Sequence, residues 1–422
     1  MLKRATKVIP LGTQTFSKSF QQFPMNQSPL FLKNGKGSKV WDIDGNQYID
    51  LIAGLLPVIL GYQDKTIDSA IKKQLKNGIS LSLATELEIE LSELLVDIIP
   101  CAEQVRLGKN GSDATTACVR IARAYTNRER LIICGYHGWH DWYIGNTVRN
   151  KGVPKFESKL SDKVPFNDLD AVHKILKKYP SQVSALIMEP ASVTKPNAGY
   201  LKELKELLNK NGALLIFDEI VTGFRFSIGG AQELFSVKPD LSAFGKAMGN
   251  GMPISAVVGK EKFMKEMNEI FFSTTFGGET LSIAAAIAVI KKLKSDPVIK
   301  TIWGKGKKLS ESLTEIIKNY NLSSVIKLNG LDPWRLIEFN NYKNISKEYI
   351  KTFVIKEMLY QGVLVNSAHN IMYSLTDQDI KKVLSAYKIT FSKLLDEIKS
   401  GKLIKNLYSK PIKPVFSIRN KK

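Results

Sequence analysis

The feature that most constrains this chain is an alternation of continuous apolar runs with stretches of helical periodicity. A strand-like stretch at 104–107 opens the series, and the apolar runs fall at 130–134, 183–188, 213–217 and 254–258, with helical text between several of them. A strand apolar at every position is buried on both faces, which happens when helices cover a largely parallel sheet. Past about residue 295 the pattern changes. Lys-rich helical text over 291–320 gives way to strands near 324–328 and 334–339, then to helices near 349–359 and 377–399. The expected fold is therefore α/β: a large domain with a mostly parallel sheet under helices, and a smaller α+β domain built from the N- and C-terminal segments. The expected bounds are 1–65 for the N-terminal segment, 66–320 for the large domain and 321–422 for the small one. Within the first segment, Asp44-Gly45 between two strand-like runs over 39–50 predicts a tight hairpin. No repeat of fixed period is present.

Charge narrows the function less than it first promises. There are 61 Lys+Arg against 40 Asp+Glu in 422 residues, a formal net charge of +21. Such an excess invites a polyanion partner. Yet 51 of the cations are Lys and only 10 are Arg, and nucleic-acid readers lean on the planar Arg fork. The plainer reading is solvated surface, including the basic stretch 391–422. The N-terminus has no apolar signal core, and the longest apolar stretch, 51–60, is interrupted by Gly54 and Pro57. Three scattered cysteines, Cys101, Cys118 and Cys134, form no disulfide framework. A cytoplasmic protein with no membrane segment and no nucleic-acid partner is expected.

In an open parallel sheet, ligands sit at the carboxyl ends of the strands, so the residues just past each run matter most. After 104–107 comes Asn110-Gly111-Ser112-Asp113, opening an Ala-rich helix. Such a start binds phosphate, although Ser or Asp there is first of all a helix cap. No phosphate-binding loop of the nucleotide-binding types fits. Asp218 ends an apolar run, where a carboxylate is costly unless paired; it either caps a loop or holds a ligand. Lys246 lies between Gly245 and Ala247 among small and apolar residues. It is either a turn lysine or a desolvated amine ready for Schiff-base chemistry. After 130–134 comes Gly135-Tyr136-His137-Gly138-Trp139-His140, an aromatic loop with no zinc-like partner spacing. No metal site is expected. Taken together, a phosphate cradle, a buried carboxylate, an amine and an aromatic face are the parts that hold pyridoxal 5′-phosphate (PLP).

At this point the chain resembles the class III, fold type I, PLP-dependent aminotransferases, in the branch of glutamate-1-semialdehyde 2,1-aminomutase. The motifs are Asp42-Ile-Asp-Gly-Asn-Gln-Tyr-Ile-Asp50, Asn110-Gly-Ser-Asp-Ala114, Tyr136-His-Gly138, Met188-Glu-Pro190 and Asp218-Glu219. Thr222-Gly-Phe-Arg225, Pro239-Asp240, Phe244-Gly-Lys246 and Thr275-Phe-Gly-Gly278 complete the set. The resemblance implies that Lys246 carries the Schiff base and shuttles the proton, and that Asp218 pairs with the ring nitrogen. Gly111 and Ser112 then match the phosphate loop and Tyr136 the stacking aromatic. His137 and Glu189 match motif positions near the cofactor. Thr275 matches a threonine that reaches the partner subunit's cofactor phosphate, which implies a homodimer. The cofactor would cycle between PLP and pyridoxamine 5′-phosphate.

The substrate pocket departs from the aminomutase pattern. Where that branch has Ser and Arg for a carboxylate, the matching stretch offers Thr15 and Lys18. Its tryptophan is replaced by Leu55. Its glutamate in the C-terminal domain has no counterpart over 366–373, where only His369 and Asn370 stand. The expected function is a ping-pong aminotransferase moving an amino group from a small-molecule donor to a small carbonyl acceptor, sugar-derived ketones and aldehydes among the candidates. The rivals are the aminomutase itself and, from another class, an inactive polyanion-binding relative.

Overall fold

A computed structural model describes residues 1–413; the end of the basic C-terminal stretch, 414–422, lies outside the described residues. The chain forms two compact units. In chain order the strands are β1 (Leu32–Lys36), β2 (Lys39–Asp42), β3 (Gln47–Asp50) and β4 (Gln104–Gly108). Next come β5 (Arg130–Cys134), β6 (Ser161–Lys163), β7 (Val183–Met188), β8 (Leu214–Asp218), β9 (Leu241–Phe244) and β10 (Ser255–Gly259). The series ends with β11 (Ile326–Leu331), β12 (Trp334–Phe339), β13 (Val363–Leu364) and β14 (Ala368–Asn370).

One unit, residues 56–58 and 65–299, is built on a seven-stranded sheet in the order β4-β10-β9-β8-β7-β5-β6. β9, β8, β7, β5 and β6 run parallel, and β10 alone runs against its neighbours β9 and β4. Successive residues of the apolar strands feed two cores, as the pleat requires. Leu131 and Ile133 pack with Ala114, Ala117 and Ile121 of the helix Gly111–Thr126. Ile132 and Cys134 pack on the other face with Val172, Leu204 and Leu208, from the helices Leu169–Lys178 and Tyr200–Lys210. The expected α/β architecture, a mostly parallel sheet covered by helices, is what the chain forms. Cys101, Cys118 and Cys134 are buried free thiols, and burial pushes Cys101 and Cys134 up to about 12.

The other unit comprises residues 1–55, 59–64 and, of the described residues, 300–413. It holds a four-stranded sheet, β1-β2-β3-β13, and a three-stranded antiparallel sheet, β11-β12-β14. The hairpin at Asp44-Gly45 is present: Asp42 Oδ1 accepts the amides of Asp44 and Asn46, and Gly45 takes φ 91°. Residues 291–320 do not form one helix. Helices Thr280–Ser295 and Val298–Asn319 meet at Asp296-Pro297, because proline has no amide to continue the ladder and restricts the residue before it. Residues 300–320 fall in this second unit, where Ser310 bonds Asp332 at 2.9 Å and Lys305 Nζ donates to the Tyr373 carbonyl at 2.6 Å.

Candidate active site

The parallel strands set their carboxyl ends along one edge of the large sheet. Asp218 closes β8, Glu189 follows β7, Tyr136 and His137 follow β5, and Lys246 lies two residues beyond β9. The helix Gly111–Thr126, which follows β4, starts at the same edge.

Asp218 is buried, and both its oxygens are engaged. Oδ2 meets His137 Nδ1 at 2.8 Å, and Oδ1 accepts the Ile220 amide at 3.1 Å. This pairing places the donated proton of His137 on Nδ1, which leaves Nε2 buried and without a protein partner. The ring lies in an aromatic nest, stacked on Trp142 at 6.3 Å and edge-on to Tyr143 at 5.5 Å. Tyr136 in turn meets Tyr143 edge-to-face at 5.5 Å. Glu189 Oε2 accepts the Tyr136 amide at 3.1 Å, and burial raises the Glu189 pKa, with the Asp218 charge adding to the rise. Lys246 adopts φ 42°, a left-handed backbone that L-residues hold only when the surroundings over-determine it. Desolvation lowers the Lys246 pKa below the ordinary lysine range, while the charges of Asp218 and Glu189 pull it back up.

The helix start is built to receive an anion. Asn110 and Asp113 form a capping box, and the amides of Gly111 and Ser112 in the first turn have no intrahelical acceptor. Ser112 Oγ accepts the Trp139 amide at 3.3 Å, joining the helix to the aromatic loop. That loop approaches so closely that a Cβ on Gly138, at φ 104°, would stand 2.2 Å from Ser112 Oγ. Ile220, which no motif or pattern singles out, is a wedge beneath the site. A Cβ on either Gly111 or Gly245 would come within 3.1 Å of its side chain. Arg225, quoted above only as part of a motif, is fully buried and donates from Nη2 to the Leu56 carbonyl at 3.0 Å.

Gly111, Ser112, Tyr136, His137, Glu189, Asp218 and Lys246 thus gather at one sheet edge. Thr275 lies apart on an exposed loop, anchored by Arg120 to the Phe271 carbonyl at 2.8 Å and by a Lys109–Glu279 ion pair at 3.0 Å. The residues weighed for substrate belong to the other unit. Thr15 precedes a single helical turn, Phe16–Lys18, that ends on Lys18, and Lys18 is exposed. Leu55 takes φ 76° and packs beside Val40 and Tyr48. His369 is buried against Tyr387 OH at 2.7 Å, and burial lowers its pKa to about 4. Asn370 Nδ2 donates to the Ile52 carbonyl at 2.6 Å. Among the described residues no group of three or more His, Cys, Asp or Glu is placed to hold a metal, and no helix is long and apolar enough to cross a membrane.

A desolvated lysine, a fixed buried carboxylate, an orphaned imidazole nitrogen and a helix start closed over by Gly138 fit PLP, whose phosphate, ring nitrogen and aldehyde need such partners. They define the class: a PLP-dependent enzyme of fold type I. The FumI protein of Sphingopyxis sp. MTA144, solved in its PLP internal aldimine form, superposes with a TM-score of 0.88 at 26% identity over 94% of this chain and 96% of that one. Among curated proteins, the 3-aminobutyryl-CoA aminotransferase of Cloacimonas acidaminovorans is 36% identical over 92% of this chain and 95% of its own length. The glutamate-1-semialdehyde 2,1-aminomutase of Natranaerobius thermophilus is 34% identical over 93% and 97%. Residues 22–389 match the profile of the class-III aminotransferases. The chain belongs to that family, whose members are PLP enzymes that move amino groups.

Proposed function

We propose that the chain transfers an amino group between two separate substrates, from an amino donor to a small carbonyl acceptor, rather than within one molecule. The observation that carries this reading is the 366–373 stretch. It supplies no carboxylate, and its one imidazole, His369, is buried beside Tyr387, with burial lowering its pKa to about 4. A residue kept neutral in this way does not replace the aminomutase glutamate. The name of the Cloacimonas relative makes a 3-oxoacyl thioester the first acceptor to try, ahead of sugar-derived ketones. The second reading, an aminomutase, is supported by the identity shared with proteins of that name.

Bound PLP supplies an electron sink for the pair released when the substrate C–H bond breaks. The rest falls to the chain. Lys246, its amine made easier to deprotonate by desolvation, accepts that proton at Nζ and returns it one position along. Asp218, held by His137 and Ile220, presents a fixed anion that keeps the ring nitrogen protonated. Tyr136 covers one ring face, and Gly111 and Ser112 seat the phosphate. Glu189 is held beside them through the Tyr136 amide.

A homodimer belongs to the same proposal, with Thr275 reaching the cofactor of the partner subunit. It is supported by the apolar surface around that loop: Leu83 is 85% exposed and Phe271 82%, with Leu81, Ile89 and Phe276 also exposed. Patches of this kind mark association surfaces. A cytoplasmic location stays within the proposal. A donor-and-acceptor screen that follows the exchange of PLP and pyridoxamine phosphate spectra tests the activity. Clean conversion of glutamate 1-semialdehyde to 5-aminolevulinate, with no turnover of separate donor and acceptor, would overturn it.

A further inference from the structure

Glu219 follows Asp218 directly and is fully buried, yet nothing in the chemistry above uses a second carboxylate there. Its partners are all in the turn that follows. Thr222 Oγ1 donates to Oε2, the Ala231 amide to Oε2 at 2.8 Å, and the Gln232 amide to Oε1 at 2.9 Å. Gln232 Nε2 adds a longer contact to Oε1 at 3.4 Å. The backbone closes over the group so tightly that a Cβ on Gly230, at φ 87°, would stand 2.6 Å from Oε2. Four converging donors match an ionised carboxylate with both oxygens shared. Burial raises its pKa to about 7 even though these donors oppose the rise.

The turn also leads outward to the rest of the site. Gln232 Nε2 reaches Ser242 Oγ at 3.1 Å on β9, the strand that delivers Lys246, and Gln232 Oε1 accepts the Cys101 amide at 3.0 Å. At its other end the turn begins with Ile220, whose amide holds Asp218 Oδ1 and whose side chain lies under both Gly111 and Gly245. Within the segment the backbone makes short turn bonds of its own, from the Gly223 amide to the Glu219 carbonyl at 2.8 Å and from the Phe226 amide to the Thr222 carbonyl at 2.9 Å. Beyond Asp218 only the Glu219 amide still pairs with β9, at the Ala243 carbonyl, 2.9 Å away.

We propose that Glu219 is a positioning residue for the cofactor: its carboxylate fixes the 219–232 turn, and through Ile220 and Gln232 that turn sets Asp218, the Gly111 helix start and the Lys246 segment in register. The proposal rests on the reading of Asp218 and Lys246 as cofactor-holding residues. Substitution Glu219→Gln keeps the volume but turns an amide NH2 toward donors that need an acceptor. In the full chain, apo protein is titrated with PLP by fluorescence, and the loaded protein is titrated with pH by its visible absorbance. Glu219→Gln should weaken PLP binding by about tenfold and move the absorbance midpoint by about half a pH unit. A fall in Tm with both readouts unchanged would mean an ordinary core residue and would sink the proposal. Should Glu219→Gln fail to fold, Thr222→Val removes one donor and leaves the carboxylate; it should move both readouts the same way by a smaller amount, and unchanged readouts would again refute the idea. Lys246→Ala separates the two levels. If it binds PLP with unaltered visible absorbance, the site reading itself fails; if it loses that absorbance while Glu219→Gln does not perturb it, only the positioning role fails.

Discussion

Lys246 gains its chemistry from where it stands. Desolvation makes its amine easier to deprotonate, and Asp218 and Glu189 limit how far. Glu189→Gln removes one of the two opposing charges, so the Lys246 pKa should fall further. The pH profile for capture of PLP by the apo protein should then shift to lower pH, and a shift upward would contradict this electrostatic picture. Replacing Lys246 by Ala should cut amino transfer by about a thousandfold or more, since a positioned acid–base group contributes on that order. Single-turnover conversion of PLP to pyridoxamine phosphate is the readout. His369 gives a stability prediction with a definite sign. Its folded pKa of about 4 lies below the ordinary histidine value of 6.5, so between those values the unfolded chain binds more protons. Stability should therefore be fully present above about pH 6.5 and be lost as pH falls toward 4. Replacing His369 with Gln should flatten that slope in urea titrations.

At the level of elements, the site depends on two backbones coming closer than a side chain allows. The aromatic loop after β5 passes over the start of the helix Gly111–Thr126 at Gly138, where a Cβ would meet Ser112 Oγ at 2.2 Å. Alanine there adds both that clash and the strain of φ 104° in an L-residue. Gly138→Ala should lower stability by about 1–3 kcal/mol and weaken PLP binding more than it slows any step of the loaded protein. Equal loss in affinity and in single-turnover rate would argue that the loop does more than seat the phosphate. The apolar runs made the strands and the ends that carry Asp218 and Lys246 legible, because burial on both faces leaves no polar option until the strand stops. Ile220 was not legible. An isoleucine after Asp-Glu looks like any other, and its wedge under Gly111 and Gly245 exists only once two separate turns are packed against it.

For the whole molecule, the excess of positive charge and the exposed apolar surface lead to separate tests. The proposed cofactor site would hold its anion with helix amides and a hydroxyl and would need little of the +21. If the acceptor is anionic, as a thioester of coenzyme A would be, the charge should steer it, and kcat/KM should fall as salt rises with kcat little changed. Indifference to ionic strength would reduce the lysines to surface composition. For the homodimer, mixing inactive Lys246→Ala chains with Thr275→Val chains should regain part of the activity in mixed dimers, each holding one site with both native residues. No recovery after verified subunit exchange would remove Thr275 from the partner's site.

The sequence by itself determined the parallel α/β sheet, the family, the lysine and the carboxylate. Each of these is written in local patterns: apolar runs, the residues at their ends, and short motifs at fixed spacing. Only the tertiary structure decided what surrounds them. His137 reaches Asp218 across 81 residues, Gln232 joins Glu219 to Ser242 and to Cys101, and His369 pairs with Tyr387. Such partnerships, and the burial that shifts each pKa, depend on which faces of distant elements meet, and no local pattern records that.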